Sequence, residues 1–294
     1  MADSVNMTSS TAEPRPVVVG VDGSPSSYAA AGYAAWLAEM RDAPLHLVHG
    51  YFTPSYGYAI MGIADPYELT SEQAIAEGDQ LLAELAQKLK LAHPRLRSIR
   101  ATQVGSSPAP LLIEQSKTAQ LTVVGCRGLG GFSELLLGSV SAQVAAHAHG
   151  PVIVVRPPGN LTAPTTPVLA GYDGSPSSQL ALEFAVAEAL RRKAKLVVVH
   201  VFADDPAAAE DLLVDAVRPL SAAHPDLDVE LRTVFGLQPD QVLASESRNA
   251  GLLVLGCRGR GGFAGVLLGS VSRILVHHAS CPVAVVHSDG SEHE

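Results

Sequence analysis

Short apolar runs alternate along the whole chain with longer segments of helical character. Runs such as "PVVVGV" and "LTVVG" are rich in β-branched residues, are too short for helices and are bounded by turn residues, so each predicts a strand. The strands are apolar throughout, without polar residues at alternate positions. This is typical of a parallel sheet that is covered by helices on both faces. The pattern therefore predicts an α/β fold built from doubly wound parallel sheets.

The two halves of the chain repeat this order of elements. The strands and helices predicted in the first half are "PVVVGV", "SSYAAAGYAAWLAEMRD", "APLHLVHG", "SEQAIAEGDQLLAELAQKLKLAH", "RSIRATQV", "PAPLLIEQSKTA", "LTVVG", "SVSAQVAAHAH" and "PVIVV". Those of the second half are "VLAGYD", "SSQLALEFAVAEALRRK", "KLVVVHV", "AAAEDLLVDAVRPLSAAH", "DVELRTVF", "PDQVLASESRNA", "LLVLG", "SVSRILVHHA" and "PVAVV". Each half is expected to form one five-stranded sheet, and Ser26 or Ser27 is expected to cap the first helix.

Two motifs recur at the predicted carboxyl ends of strands. "GVDGSPSS" returns as "GYDGSPSS" 151 residues later, and "GCRGLGGFSELLLGSVS" returns as "GCRGRGGFAGVLLGSVS" 131 residues later. Repeats of this kind indicate a tandem duplication. The stretch "RPPGNLTAPTTP" between the copies is typical of a linker. The predicted organisation is an N-terminal tail at 1–15, a first domain at 16–157, a linker at 158–166, a second domain at 167–287 and a C-terminal tail at 288–294.

The composition narrows the classes of partner. The chain has 294 residues, is 47% hydrophobic and 17% charged, and carries a formal charge of −9 without a block of lysine or arginine. Nucleic-acid binding needs clustered cations and is not expected. No apolar run reaches the roughly 18 residues of a membrane span, and the first residues lack the pattern of a secretory signal. We therefore expect a cytoplasmic protein without membrane or nucleic-acid partners.

The glycine motif has the spacing G-x(2)-G-x(9)-G-[ST] between the end of a strand and the start of a helix. Glycine lets backbone N–H groups approach a ligand without an intervening Cβ, and a helix N-terminus offers unpaired N–H donors and a positive dipole end. The spacing therefore suits a phosphate chain that backbone amides hold. The alternative is that the glycines only make tight turns. The presence of two copies, each paired with an upstream aspartate, argues against this alternative. The motif is neither a P-loop nor the dinucleotide fingerprint, which follows a first strand.

The motif resembles the ATP-binding motif of the universal stress protein family, and the likeness covers nearly the whole chain. The resemblance implies two tandem domains of the adenine nucleotide alpha hydrolase-like fold, each with strand order 3-2-1-4-5, that bind ATP or AMP between the first and fourth strands. It places the aspartate on the nucleoside, the residue after the strand-two histidine on adenine, and the glycines, serine and following valine on ribose and phosphates. The implied site residues are Asp22, Gly50, Gly125, Gly128, Gly138, Ser139 and Val140 in the first half, and Asp173, Val201, Gly256, Gly259, Gly269, Ser270 and Val271 in the second.

Other polar residues allow less specific interpretations. Three arginines lie in the glycine loops, and two interpretations stay open: one of them contacts a phosphate, or all are solvated loop residues (Arg127, Arg258 and Arg260). Histidines at helix ends are read as structural, and the "HAH" and "HH" pairs lack the neighbours of a metal site (His93, His224, His147, His149, His277 and His278). The three cysteines are expected to be small, semi-buried thiols (Cys126, Cys257 and Cys281). The first half also carries about twenty extra residues in "YFTPSYGYAIMGIADPYEL", either a lid or partner surface or an ordinary insertion.

The resulting expectation is a regulatory module that binds one ATP per domain, with Mg²⁺ accompanying the phosphates, and an unidentified regulatory protein as partner. Catalytic residues and a protein metal site are not expected, and hydrolysis would be slow. A nucleotide hydrolase or transferase on the same fold and a non-binding scaffold are the alternatives. The apolar final strands "PVIVV" and "PVAVV" are expected at sheet edges. The family resemblance implies that they pair between domains or subunits, which predicts a homodimer.

Overall fold

The computed structural model describes residues 14–51, 68–128, 138–156, 166–260 and 267–287. The elements of the first half are β1 (Val17–Gly20), α1 (Pro25–Met40), β2 (Leu45–Gly50), α2 (Glu68–Ala92), β3 (Ile99–Val104), α3 (Pro108–Ser116), β4 (Leu121–Gly125), α4 (Ser139–His147) and β5 (Val152–Val155). Those of the second half are β6 (Val168–Gly171), α5 (Pro176–Arg192), β7 (Leu196–Phe202), α6 (Pro206–Ala223), β8 (Val229–Phe235), α7 (Pro239–Glu246), a 3₁₀ turn (Ser247–Asn249), β9 (Leu252–Gly256), α8 (Ser270–His278) and β10 (Val283–Val286).

The strands form one continuous ten-stranded sheet in the order β3-β2-β1-β4-β5-β10-β9-β6-β7-β8. Each half has the predicted order 3-2-1-4-5, and every pairing within a half is parallel. The predicted fold class is therefore confirmed. The two halves join through an antiparallel pairing of β5 and β10, in which Ile153 lies opposite Ala284.

This join corrects the expected position of the final strands. They were predicted at sheet edges, but the structure places them at the centre of the joint sheet, because each strand satisfies the unpaired backbone groups of the other. Of the two arrangements that the sequence left open, pairing between domains is the one observed. These strands therefore cannot also pair with a second chain, and the homodimer stays a prediction. The edges of the sheet are β3 and β8.

Successive residues of the inner strands enter two different cores, one on each face of the sheet. In β1, Val17 and Val19 pack beneath α1 and α2, whereas Val18 packs beneath α3 and α4. All three side chains are fully buried. Burial on both faces explains why the strands are apolar at every position.

The N-cap of α1 lies two or three residues earlier than the serines that were predicted to cap it. Ser24 is the N-cap of α1, and its Oγ accepts a hydrogen bond from Ser27 N at 3.1 Å. The expectation that Ser26 or Ser27 caps this helix was therefore wrong. The reason is Pro25, which has no N–H and a φ suited to the first helical position, so the serine before it becomes the cap. Ser175 caps α5 in the same way.

A buried cluster of charged and aromatic side chains fastens the halves together on one face of the sheet. Glu188 of α5 is fully buried and accepts hydrogen bonds from Arg41, at the end of α1, and from Arg192. Arg192 also donates to the hydroxyl of Tyr33 at 2.9 Å and lies over the ring of Trp36, 4.9 Å from its centroid. Since Tyr33, Trp36 and Arg41 belong to the first half, the cluster spans the two domains.

The other face has a reciprocal pair of contacts at helix ends. Arg156, which follows β5, donates to the carbonyl of Val276 in the last turn of α8 at 3.1 Å. His287, which follows β10, places its ring nitrogens 3.1 and 3.0 Å from the carbonyl oxygens of Gly150 and Ala145, at the end of α4. Each half therefore contacts the C-terminal end of the other half's last helix. Within the described ranges, no helix is long and apolar enough to cross a membrane.

Candidate functional site

Each half has a cleft at the carboxyl ends of its first and fourth strands, where the strand order reverses. Such a switch point is where open α/β sheets bind ligands. The first cleft has a volume of about 360 Å³ and the second a volume of about 1160 Å³. All predicted site residues of the first half line the first cleft: Asp22, Gly50, Gly125, Gly128, Gly138, Ser139 and Val140. All those of the second half line the second: Asp173, Val201, Gly256, Gly259, Gly269, Ser270 and Val271.

The "DGSPSS" turn fastens the start of α1 to the loop that follows β4. Oδ1 of Asp22 accepts from the backbone N–H of Ser24 at 3.0 Å, and Oγ of Ser24 donates to the carbonyl of Arg127 at 3.2 Å. Oγ of Ser26 accepts from the N–H of Arg127 at 3.3 Å, and Oγ of Ser27 accepts from the N–H of Asp22 at 3.3 Å. The second half repeats every one of these contacts. The serines therefore fix the position of the aspartate and of the first motif glycines.

The first glycine of each motif is required by packing inside the protein. A Cβ on Gly125 would lie 2.7 Å from the carbonyl carbon of Ser26, and one on Gly256 would lie 2.6 Å from that of Ser177. Real Cβ contacts do not come this close to backbone, so only glycine lets the strand end rest against the first helix. The expectation that this glycine serves ligand approach is therefore not needed to explain it.

The second glycine lies against the aspartate of the other motif. A Cβ on Gly128 would stand 2.5 Å from Oδ2 of Asp22, and one on Gly259 would stand 2.7 Å from Oδ2 of Asp173. This glycine therefore makes room for the carboxylate at the floor of the cleft. The two repeated motifs form one site because of this contact.

The third glycine is different, since the described residues leave room for a Cβ there. Among these residues, the atom nearest to a Cβ on Gly138 or Gly269 would lie 3.4 Å away, which is an ordinary contact distance. Each is the N-cap of a nine-residue helix, α4 or α8, and has an extended backbone that any residue adopts. A glycine N-cap provides no side-chain hydrogen bond, so the first N–H groups of these helices have neither an intrahelical acceptor nor a capping side chain among the described residues. These N–H groups belong to residues that line the clefts.

The carboxylate of Asp173 is held as an anion. Burial opposes its ionisation, but hydrogen bonds from the side chain and N–H of Ser175 and from the N–H of Arg260 outweigh this and hold its pKa below the usual range for aspartate. The N–H of Arg260 lies 3.0 Å from Oδ2, and that of Ser175 lies 3.0 Å from Oδ1. The carboxylate is therefore an acceptor for a ligand hydroxyl and a poor base.

Two histidines contribute to the clefts in a way that the sequence did not reveal. Nδ1 of His49 lies 2.8 Å from the carbonyl oxygen of Val21, and Nδ1 of His200 lies 2.8 Å from that of Tyr172. A carbonyl can only accept, so Nδ1 carries the hydrogen in both rings. The bonds hold the chain just before the aspartates. The sequence signal that could have revealed this role is the repetition of the two histidines at the same offset as the aspartate motif.

The remaining sequence interpretations have separate outcomes. Positions 52–67 of the tyrosine-rich stretch lie outside the described residues. His93, just beyond α2, places Nδ1 3.2 Å from a carboxylate oxygen of Glu39, and His147 contacts the carbonyl of Gln143. The three cysteines are buried and free. In the part of the chain that the structure describes, no group of three histidine, cysteine, aspartate or glutamate residues is arranged to hold a metal ion.

Comparisons with known proteins agree with this architecture. The model of the universal stress protein family matches residues 13–156 and again 164–287. A universal stress protein of Mycolicibacterium smegmatis is 37% identical over 287 residues, which cover 92% of this chain and 96% of that protein. One of Mycobacterium tuberculosis is 36% identical over 286 residues, with 92% and 96% covered.

Solved structures share the fold over nearly the full length. The crystal structure of a universal stress protein from Archaeoglobus fulgidus matches with a TM-score of 0.74 at 23% identity, covering 94% of this chain and 99% of that one. A putative universal stress protein from Pseudomonas aeruginosa matches with a TM-score of 0.63 at 17% identity, covering 94% of each chain. The chain belongs to the universal stress protein family and carries two of its domains in tandem.

Proposed function

We propose that each half binds one adenine nucleotide, ATP in the first place, with the phosphates at the N-terminus of α4 or α8. The observation that supports this most strongly is the third motif glycine. Among the described residues, the N–H groups that follow Gly138 and Gly269 have no capping side chain, and a Cβ at either glycine has room. An uncapped N-terminus with its dipole is a ready site for an anion, and the free space would hold the phosphate.

The other wall of the cleft suits the nucleoside. Asp173 is an anionic acceptor at the end of β6, which fits a ribose hydroxyl as donor. The resemblance to the family supports adenine contacts from the backbone of Gly50 and Val201, and both residues line their clefts. Since Mg²⁺ keeps several waters and binds largely through phosphates, we propose that it enters with ATP.

The site is better suited to binding a nucleotide than to hydrolysing it. A general base for hydrolysis needs a pKa near the working pH, whereas hydrogen bonds keep the pKa of Asp173 low. We therefore propose a regulatory binding protein of the cytoplasm. Nucleotide occupancy would change its conformation or its choice of protein partner under stress, with slow hydrolysis at most.

Thermal unfolding with and without nucleotides tests this proposal. ATP at about 100 times its Kd is expected to stabilise a bound site by about 2.7 kcal/mol. Gly138→Glu and Gly269→Glu place a carboxylate where the phosphate would lie, so each is expected to remove one site and the double variant both. Gly32→Glu is a matched control, because a Cβ on Gly32 of α1 meets nothing within 4 Å. Equal stabilisation of the wild type and the double variant, or none in the wild type with ATP, ADP, AMP or cyclic AMP, would contradict the proposal.

A further inference from the structure

The two clefts differ in the cations that they present. Arg258, Arg260 and Arg273 all line the second cleft, whereas among the described residues Arg127 is the one arginine that lines the first. Across the repeat of the glycine motif, 131 residues apart, Arg258 corresponds to Arg127. Arg260 corresponds to Leu129 and Arg273 to Ala142. The second copy therefore has two arginines at positions where the first has apolar residues.

The arginines of the second cleft share one wall, formed by the loop after β9 and the first turns of α8. Nε of Arg258 is buried and has no hydrogen-bond partner among the described residues, although its counterpart Arg127 is exposed. A buried charged donor without an acceptor is costly unless a ligand supplies one. The guanidinium of Arg260 lies over Gly174, in the turn beside Asp173. Arg273 follows the uncapped first turn of α8, and its N–H bonds the carbonyl of Gly269 at 2.9 Å.

Three acidic residues also line the second cleft. Asp173 accepts hydrogen bonds from the backbone N–H groups of Ser175 and Arg260. Asp204 and Asp205 follow β7, which lies on the other side of β6 from β9, the strand that precedes α8. Oδ1 of Asp205 already accepts from the N–H of Ala207 at 2.9 Å, as the cap of α6. The cleft is therefore polarised, with cations and a positive helix end on one wall. Arginine binds phosphate oxygens through paired N–H groups, which makes it suited to this ligand chemistry.

We propose that the second site selects nucleotides by the length of their polyphosphate chain, and that the first site does so far less. The inference rests on the proposed function. Arg258, Arg260 and Arg273 contact the phosphates beyond the one at the N-terminus of α8. The first site holds its nucleotide mainly through the nucleoside and the phosphate at α4. The tandem chain then has two sites of different specificity, a triphosphate site in the second half and a less selective adenine-nucleotide site in the first.

Single-site variants allow this to be measured. Gly138→Glu leaves the second site and Gly269→Glu leaves the first, and each is titrated with AMP, ADP and ATP by calorimetry. The measured quantity is the ratio of the Kd for AMP to the Kd for ATP. A charge-assisted hydrogen bond contributes about 1.5 kcal/mol or more, so the ratio is expected to be at least about tenfold larger at the second site.

Exchange of the corresponding residues gives the matched controls. Arg260→Leu with Arg273→Ala is expected to lower the ratio of the second site towards that of the first, and Ala142→Arg to raise the ratio of the first. Arg218→Ala removes a positive charge from an exposed position on α6, paired with Asp215, and is expected to change neither. Thermal unfolding without nucleotide shows whether each variant is folded.

The titrations distinguish a failure of the proposed selectivity from a failure of nucleotide binding itself. Binding at both sites with equal ratios, or a ratio that the double arginine variant does not change, would overturn the selectivity and leave nucleotide binding intact. Absence of binding at both sites in the folded wild type would overturn the proposed function and the inference together.

Discussion

Alanine is expected to have opposite consequences at Gly256 and at Gly269, although both glycines belong to the same motif. At Gly256 the new methyl would stand 2.6 and 2.7 Å from the backbone carbon and oxygen of Ser177. The helix and the strand end must separate to admit it, and overpacking of this kind costs about 1–3 kcal/mol. The loss of folding free energy is expected whether or not a nucleotide is present.

At Gly269 the nearest atom to the new methyl, among the residues that the structure describes, would be the carbonyl oxygen of Cys257 at 3.4 Å. The residue has φ −60° and ψ 156°, which alanine adopts freely. Replacing glycine stabilises by about 0.4–1 kcal/mol through the unfolded chain. Alanine is a poorer N-cap than glycine by an amount of similar size, so the two effects offset within about 0.5 kcal/mol. The folding free energy is therefore expected to stay nearly constant while ATP affinity at the second site falls.

Urea unfolding gives the free energy of folding of both variants, and calorimetric titration in a Gly138→Glu background gives the affinity of the second site alone. The expected pattern is a large loss of stability for Gly256→Ala and a loss of affinity with normal stability for Gly269→Ala. If Gly269→Ala proved as unstable as Gly256→Ala and bound ATP as the parent does, the third glycine would serve the fold.

Two further predictions concern buried charge. Glu188→Gln leaves Arg41 and Arg192, whose side chains are each 3% exposed, without their anion. The free energy of unfolding, measured in urea, should fall by about 3–5 kcal/mol. Glu183→Gln, at an exposed position on the same helix, should change it by less than about 0.5 kcal/mol, and equal effects of the two variants would show that the cluster does not stabilise the protein. The pKa of Asp173 is lowered in the folded state, so its contribution to stability is full above the ordinary value of about 3.9 and is lost as pH falls through the folded value. The difference in unfolding free energy between wild type and Asp173→Asn should therefore stay constant down to about pH 6 and shrink below about pH 4. A difference that does not change with pH would contradict this.

The sequence predicted the fold well because its signals are local. Apolar strands such as β1 and β4, and their repetition in the second half, determine the parallel order within each domain. The resemblance left open whether β5 and β10 pair between domains or between subunits, because an antiparallel contact between distant strands depends on how two finished domains meet. The start of α1 was missed because the cap depends on Pro25 at the first helical position, which moves the cap to Ser24.

The residues of the site could be predicted from their spacing, but their separate tasks could not. Gly125, Gly128 and Gly138 look equivalent in the motif, yet a Cβ would clash with a helix backbone at the first and with a carboxylate at the second, and would meet described atoms only at ordinary contact distance at the third. His49 appears in the sequence only as a neighbour of Gly50, because a bond from a ring to a carbonyl of another strand has no local pattern. The sequence shows that the second half has more arginines near its glycine motif, but only the structure shows that these arginines line the cleft.

The nucleotide content of the purified protein tests the central claim most directly. The chain is denatured freshly purified and again after incubation with ATP and removal of the excess, and any released nucleotide is identified and counted by chromatography. We expect two adenine nucleotides per chain after incubation, one in Gly138→Glu or Gly269→Glu, and none when both are changed. A folded wild-type protein that releases no adenine nucleotide before or after incubation would contradict it, and the uncapped helices would then not be phosphate sites.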